Sequence, residues 1–151
     1  MPRESRIFVK TGLIYLALTF ALGAVLLMLE ALGRSAPYAF AIEHAHFGAE
    51  GWLVNTVIGI ALWMLPLNRE RFPATQGRYP TGLAYACFIL LNGGLALRLV
   101  AEPWYQLDGK PPVAATLLAI AAIAQPVSIA LFVAIAWQRV RGPSHPAPGV
   151  R

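Results

Sequence analysis

Four stretches of this chain are long and apolar enough to reach across a lipid bilayer, and that leaves few folds open to it. They run from about Thr11 to Leu32, Ala39 to Leu67, Thr81 to Val100 and Val113 to Trp137. Each is near or above the ~20 residues that a spanning helix needs. With 58% hydrophobic and only 13% charged residues, the chain also departs from ordinary soluble composition. The expected fold is all-α, an integral-membrane four-helix bundle forming one domain over all 151 residues. Three connections separate the blocks. Arg34 to Pro37 is short, Asn68 to Pro80 is basic, and Ala101 to Pro112 carries Pro103, Gly109, Pro111 and Pro112, which read as helix stops. The tail over residues 142–151 has no apolar pattern and is expected to fray outside the membrane.

Basic residues flank three of the block ends. Arg3, Arg6 and Lys10 precede the first block, Arg69, Arg71 and Arg78 follow the second, and Arg139, Arg141 and Arg151 follow the fourth. This asymmetry predicts both termini on the cytoplasmic side of a multi-pass protein of the inner (plasma) membrane. The net charge of +5 is explained by headgroup anchoring in the bilayer and calls for no nucleic acid. The first block exceeds the apolar core of a signal peptide and reads as a retained helix. Cys87 has no partner cysteine, so no disulfide is expected, and it reads as a small buried hydrophobe.

Against that background the segment Glu43-His44-Ala45-His46-Phe47-Gly48-Ala49-Glu50-Gly51-Trp52 stands out, because ionisable groups inside a membrane are costly and tend to be functional. In the predicted topology it falls in the outer half of the second helix, the half where Glu30, Arg34, Arg98 and Glu102 end other helices. Glu30, Arg34 and Glu102 read as helix-end charges reaching for headgroups. Arg98 divides evenly between that role and a site, whereas His44, His46 and Glu50 point to a site.

On a regular helix, residues two apart face roughly opposite sides, so His44 and His46 do not share one metal. Below His44 run Gly48, Gly51, Asn55 and Gly59, a stripe that offers either a smooth wall for a flat macrocycle or a surface for close helix packing. On the other side, Glu43, His46 and Glu50 follow an i, i+3, i+7 spacing. That donor set suits zinc, copper or non-heme iron, and the same groups can equally hydrogen-bond one another or pair with Arg98.

The stretch His44-Ala45-His46, Gly51-Trp52, Gly59 and Met64-Leu65-Pro66 resembles the second transmembrane helix of the catalytic subunit of heme-copper oxidases and nitric oxide reductases, and most of all their short four-helix relatives. The match covers about 25 residues; Asn92-Gly93-Gly94 and the basic end of the fourth block fit only loosely. The resemblance implies heme b held by His44 or His46, with propionates near arginines. The glycine stripe selects His44, with Gly48, Gly51 and Asn55 beneath the ring and Arg98 and Arg34 as propionate partners. This chain lacks the later helices that carry the remaining heme and copper ligands, so it does not reduce oxygen by that mechanism. His145, its third histidine, lies in the tail. The sixth heme position is then open, taken by water or Met28, or filled by another subunit.

The alanine-rich fourth block, with Ala114, Ala115, Ala119, Ala122 and Ala130, predicts a homodimer. Pro126 is expected to kink it and free a carbonyl for Gln125 or Ser128. Trp63, Trp104, Tyr105 and Trp137 read as interfacial anchors. The functional expectation is a heme b protein acting in gas-ligand binding (nitric oxide or oxygen) or electron transfer, with a quinol as a second candidate partner. The alternatives are a non-heme Glu/His metal site at a dimer interface and a proton relay or small transporter built on the buried acids. No nucleophile and base pair, phosphate loop or complete redox centre is present, so the sequence assigns no enzymatic reaction.

Overall fold

Each of the four helices starts directly after a proline. Pro2, Pro37, Pro80 and Pro111 occupy the four N-cap positions with φ between −57° and −63°. A fixed φ near −65° and the bar on helical geometry before a proline give each helix a defined start. The structure, a computed structural model, describes residues 1–140. The first helix is Arg3–Ala31, the second Tyr38–Met64, the third Thr81–Leu107 and the fourth Pro112–Trp137, and all four are long and apolar enough to cross a membrane. They run alternately up and down. The end where the first begins and the fourth finishes is termed proximal here, and the opposite end distal. The described residues contain no strand. The tail expected to fray, together with His145, lies outside them.

Two helix limits differ most from those expected, and one helix changes its winding. The first helix begins at Arg3 instead of Thr11, because its charged early residues are themselves good helix formers. The third runs through Pro103 to Leu107, so the connection expected over Ala101 to Pro112 shrinks to the turn before Pro112. A proline inside a membrane helix is tolerated where neighbouring groups satisfy the backbone it frees. The second helix opens into a π-helical stretch over Phe47–Val54, with a wider turn than the α-helical runs on either side.

Small residues set the spacing of the first and second helices. A Cβ on Gly51 would lie 2.5 Å from the ring of Tyr15, and one on Gly59 would meet Val9 and Phe8 at 2.8 and 2.9 Å. The first helix ends on Gly33, whose φ of +65° lets the Arg34 amide donate to the Leu29 carbonyl and the Gly33 amide to the Glu30 carbonyl, each at 2.9 Å. This closure satisfies carbonyls that the helix end leaves open.

The apolar core lies in the proximal half. Phe8, Ile58, Leu62, Tyr79, Ala84, Cys87, Leu91 and Ile135 form one buried cluster, with Phe8 and Phe88 packed edge to face at 5.1 Å. Cys87 joins the third helix to the fourth. Its thiol lies 3.3 Å from Ser128 Oγ, and that hydroxyl donates to the Cys87 carbonyl at 2.7 Å. Ser128 therefore bridges two helices and does not serve the carbonyl near Pro126. The alanine face of the fourth helix is divided. Ala114 and Ala121 are buried, with Ala121 beside Gly94 of the third helix, while Ala115, Ala119, Ala122 and Ala130 are exposed.

Candidate functional site

The polar residues of the second helix fall on two faces. His44 turns to the first helix: its Nδ1 lies 3.1 Å from the Thr19 carbonyl oxygen, and a Cβ on Gly23 would meet its Cε1 at 2.8 Å. A carbonyl accepts only, so this bond places a proton on Nδ1 and leaves Nε2 with its lone pair in the neutral ring. Beside the imidazole is a partly open groove of about 420 Å³ lined by Thr19, Phe20, Gly23, Ala24 and Leu27. Phe20 and Leu27 are 73% and 68% exposed, so the groove faces outward from the bundle.

Glu43, the preceding residue, turns inward. It is 1% exposed, and neither carboxylate oxygen has a hydrogen-bond partner. The charges that act on it belong to Glu102 and Arg98 of the third helix and Glu50 of its own. Arg98 Nε donates to Glu102 Oε2 at 2.7 Å. Gln106 Nε2 lies 3.4 Å from the other oxygen of Glu102.

Farther from the distal end, His46 Nδ1 and Glu50 Oε1 are 3.1 Å apart, and Glu50 Oε2 accepts from Gln125 Nε2 of the fourth helix. Asn55 closes the π-helical stretch. Its amide donates to the carbonyls of Glu50 at 3.2 Å and Gly51 at 2.9 Å. Across the bundle it exchanges amide hydrogen bonds with Asn92 of the third helix, at 3.1 and 3.0 Å.

Several expectations change in this light. The stripe under His44 is no free wall for a macrocycle: Gly48 faces Thr19, Gly51 faces Tyr15 and Gly59 faces Phe8 and Val9, all on the first helix. Asn55 serves the second helix and Asn92, not a ligand face. Arg98 belongs to the inward face with Glu43, whereas His44 belongs to the outward one, so Arg98 does not sit as a propionate partner for His44. Arg34 is exposed in the connection between the first two helices. Glu102, expected to reach for headgroups, is only 9% exposed. The donor set Glu43, His46 and Glu50 is not assembled. His46 meets Glu50, Glu43 faces the third helix, and among the described residues no group of three His, Cys, Asp or Glu side chains is placed to hold a metal ion. The i, i+4 pair His46 and Glu50 meets across the start of the π-helical stretch, while Glu43, on the α-helical run before it, turns to the third helix. Gln125, expected to satisfy a carbonyl freed by Pro126, instead holds Glu50.

Two groups went unnoticed in the sequence. Asn92 was visible only as part of a loose family match, and its pairing with Asn55 spans two helices. Arg139 was counted as one flanking charge of several. It is 1% exposed and donates to the carbonyls of Leu62 at 2.9 Å, Pro66 at 3.1 Å and Leu65, with Tyr79 beneath it at 5.3 Å. Burial pushes the Tyr79 hydroxyl pKa up and the Arg139 guanidinium pKa down from their ordinary values.

No family model, curated protein or solved structure matches the chain. The likeness to the heme-copper oxidase helix therefore rests on the residues from His44 to Pro66 themselves.

Proposed function

We propose that the chain is a membrane protein that holds heme b through His44 and serves gas-ligand binding or electron transfer. One observation carries this reading: His44 Nδ1 donates to the Thr19 carbonyl oxygen at 3.1 Å, which leaves Nε2 with its lone pair beside an apolar groove. Metal-ligating histidines are characteristically oriented by such a bond on the other ring nitrogen, which fixes the tautomer and strengthens the ligand. The residues would supply one histidine ligand and one apolar flank. They do not supply the glycine wall or an arginine from the third helix.

In this reading Nε2 of His44 would hold the iron, the Thr19 carbonyl holds the ring, and Phe20, Ala24 and Leu27 would exclude water from that edge. Arg34 is the cation available to propionates at the distal end, which the basic flanks place on the outer side of the membrane. Heme, when bound, supplies an iron centre able to take up a diatomic gas or pass a single electron. Histidine is a common axial ligand, and the polarity and access of the opposite face decide between those two uses.

The test is absorption spectroscopy of the purified chain, produced with heme available, together with pyridine hemochrome analysis. The parent is expected to show a Soret band, His44→Ala to lose it and His46→Ala to keep it. Gly23→Ala supplies a subtler variant, since the added methyl would press on the imidazole; a several-fold weaker heme retention is expected. Full retention of heme in His44→Ala would overturn the assignment.

A further inference from the structure

At the proximal end two helices begin at one cavity, and neither start has a side-chain cap. Pro2 and Pro80 hold the N-cap positions of the first and third helices, and a proline side chain offers no acceptor to the open amides of a first turn. Arg3 and Glu4 of the first helix and Thr81 of the third line a cavity of about 490 Å³ together with Thr75, Arg78 and Tyr79 of the connection. Helix starts attract anions through those amides and the helix dipole. A second observation points the same way. Tyr79 is 1% exposed, and its hydroxyl has no hydrogen-bond partner, so an oxyanion in the cavity would satisfy a buried donor. Arg3 and Arg78 are exposed. The ion pairs among the described residues join His46 to Glu50 and Arg98 to Glu102, so Glu4 neutralises neither arginine at contact distance.

The cavity continues into apolar surface. It shares Pro2 and Arg78 with a second cavity of about 370 Å³, where the Arg139 guanidinium is already held by carbonyls and Arg78 is the uncommitted cation. The second cavity shares Met64, Leu65 and Pro66 with a groove of about 360 Å³ that runs along Val57 and Ile60. Val57 and Met64 are 51% and 70% exposed, so this groove faces outward from the bundle.

We propose that the proximal end holds one anionic phospholipid, with its phosphate taken by Arg3, Arg78 and the two helix starts and an acyl chain laid along the groove from Met64 to Val57. Charge and shape together select this occupant. A free phosphate would use the first cavity alone, and a zwitterionic lipid would bring a cation to a site with two arginines and one carboxylate. Diffuse attraction of basic flanks to headgroups draws on every exposed arginine, whereas this site depends on two. It lies at the end of the bundle away from His44 and is independent of the heme reading.

Native mass spectrometry of the full chain, released from a non-ionic detergent and titrated with phosphatidylglycerol or with phosphatidylcholine of the same chain length, tests the proposal. The parent is expected to carry one phosphatidylglycerol, bound at lower lipid concentration than phosphatidylcholine. Arg3→Gln combined with Arg78→Gln should weaken that adduct by about 10- to 30-fold, the effect of two basic groups near anionic lipid. Lys10→Gln combined with Arg69→Gln removes the same charge from exposed positions outside the three cavities and should leave the adduct unchanged. Tyr79→Phe deletes only the hydroxyl and should weaken it several-fold. Equal affinity of the parent for the two lipids would overturn the proposal, as would an equal loss in the Lys10 and Arg69 pair. Displacement of the lipid by millimolar inorganic phosphate would overturn the lipid as occupant, and an unchanged adduct in Tyr79→Phe would overturn the part given to the hydroxyl.

Discussion

Arg139 and Glu43 are equally buried, at 1% exposure each, yet they are treated in opposite ways. At the proximal end the guanidinium of Arg139 donates to the carbonyl of Leu62 in the last turn of the second helix and to those of Leu65 and Pro66 just past its end, and it stacks on Tyr79. A cation at a helix C-terminus also meets the negative end of the helix dipole. In the distal half Glu43 is packed against the third helix with both oxygens unengaged. Burial alone therefore does not decide what a charged group does for this bundle. Satisfaction does. Where the buried charge has partners, removing it should weaken the fold, and where it has none, removing it should relieve the fold.

The largest effect is expected at Arg139. Arg139→Ala leaves three helix-end carbonyls without their donor, and a loss of about 3 kcal/mol is expected, since hydrogen bonds from charged groups each contribute roughly 1.5–3 kcal/mol and do not add fully. Thermal unfolding in detergent measures it. Arg139→Lys should recover only part, because one ammonium cannot span the fork. Next comes the inverse result at Glu43. Glu43→Leu removes an unsatisfied buried group at similar volume, and a gain of about 1–3 kcal/mol is expected on the same measurement. A loss at Glu43 as large as that at Arg139 would break the comparison.

Smaller effects sharpen the middle of the bundle. Asn55→Ala removes the donor to two carbonyls of the π-helical stretch and the pairing with Asn92. Polar contacts between membrane helices average about 0.6 kcal/mol and reach about 1.7, and Asn55, with several, belongs near the upper value. Hydrogen exchange of the Phe47–Val54 amides should rise in that variant. Ser128→Ala breaks the clasp on Cys87 and should cost roughly 0.5–1 kcal/mol, with no change in either histidine's behaviour.

How much of this was legible follows from the range over which each feature is set. The four helices were readable because length and apolar content are local properties of the chain. The near-opposite facing of His44 and His46 is readable for the same reason, since they lie two positions apart in one α-helical run. Of the Glu43, His46 and Glu50 triad only the His46 and Glu50 pair forms, because spacing along one helix does not say which neighbouring helix each carboxylate turns to. The glycine stripe is legible as a stripe, but its expected use as a macrocycle wall that selects His44 is not the use the fold makes of it. Its occupant, the first helix with Tyr15 and Thr19, is a tertiary fact. Arg98 is legible at the right end, with a place beside Glu43 among its expected roles, but a helix-end position does not by itself choose that face over the one of His44. Arg139 hid among flanking arginines, since its three acceptors lie far back in the sequence at the end of the second helix.

The central claim is that His44, and not His46, is the residue of this helix that holds a heme iron. The most direct measurement is the Soret absorbance per chain for the parent, His44→Ala and His46→Ala, purified identically from cells supplied with heme precursor. The account predicts a band in the parent, its loss in His44→Ala and its persistence in His46→Ala, where only the contact with Glu50 is removed. A parent without a Soret band, or a His44→Ala variant that carries as much heme as the parent, would contradict it.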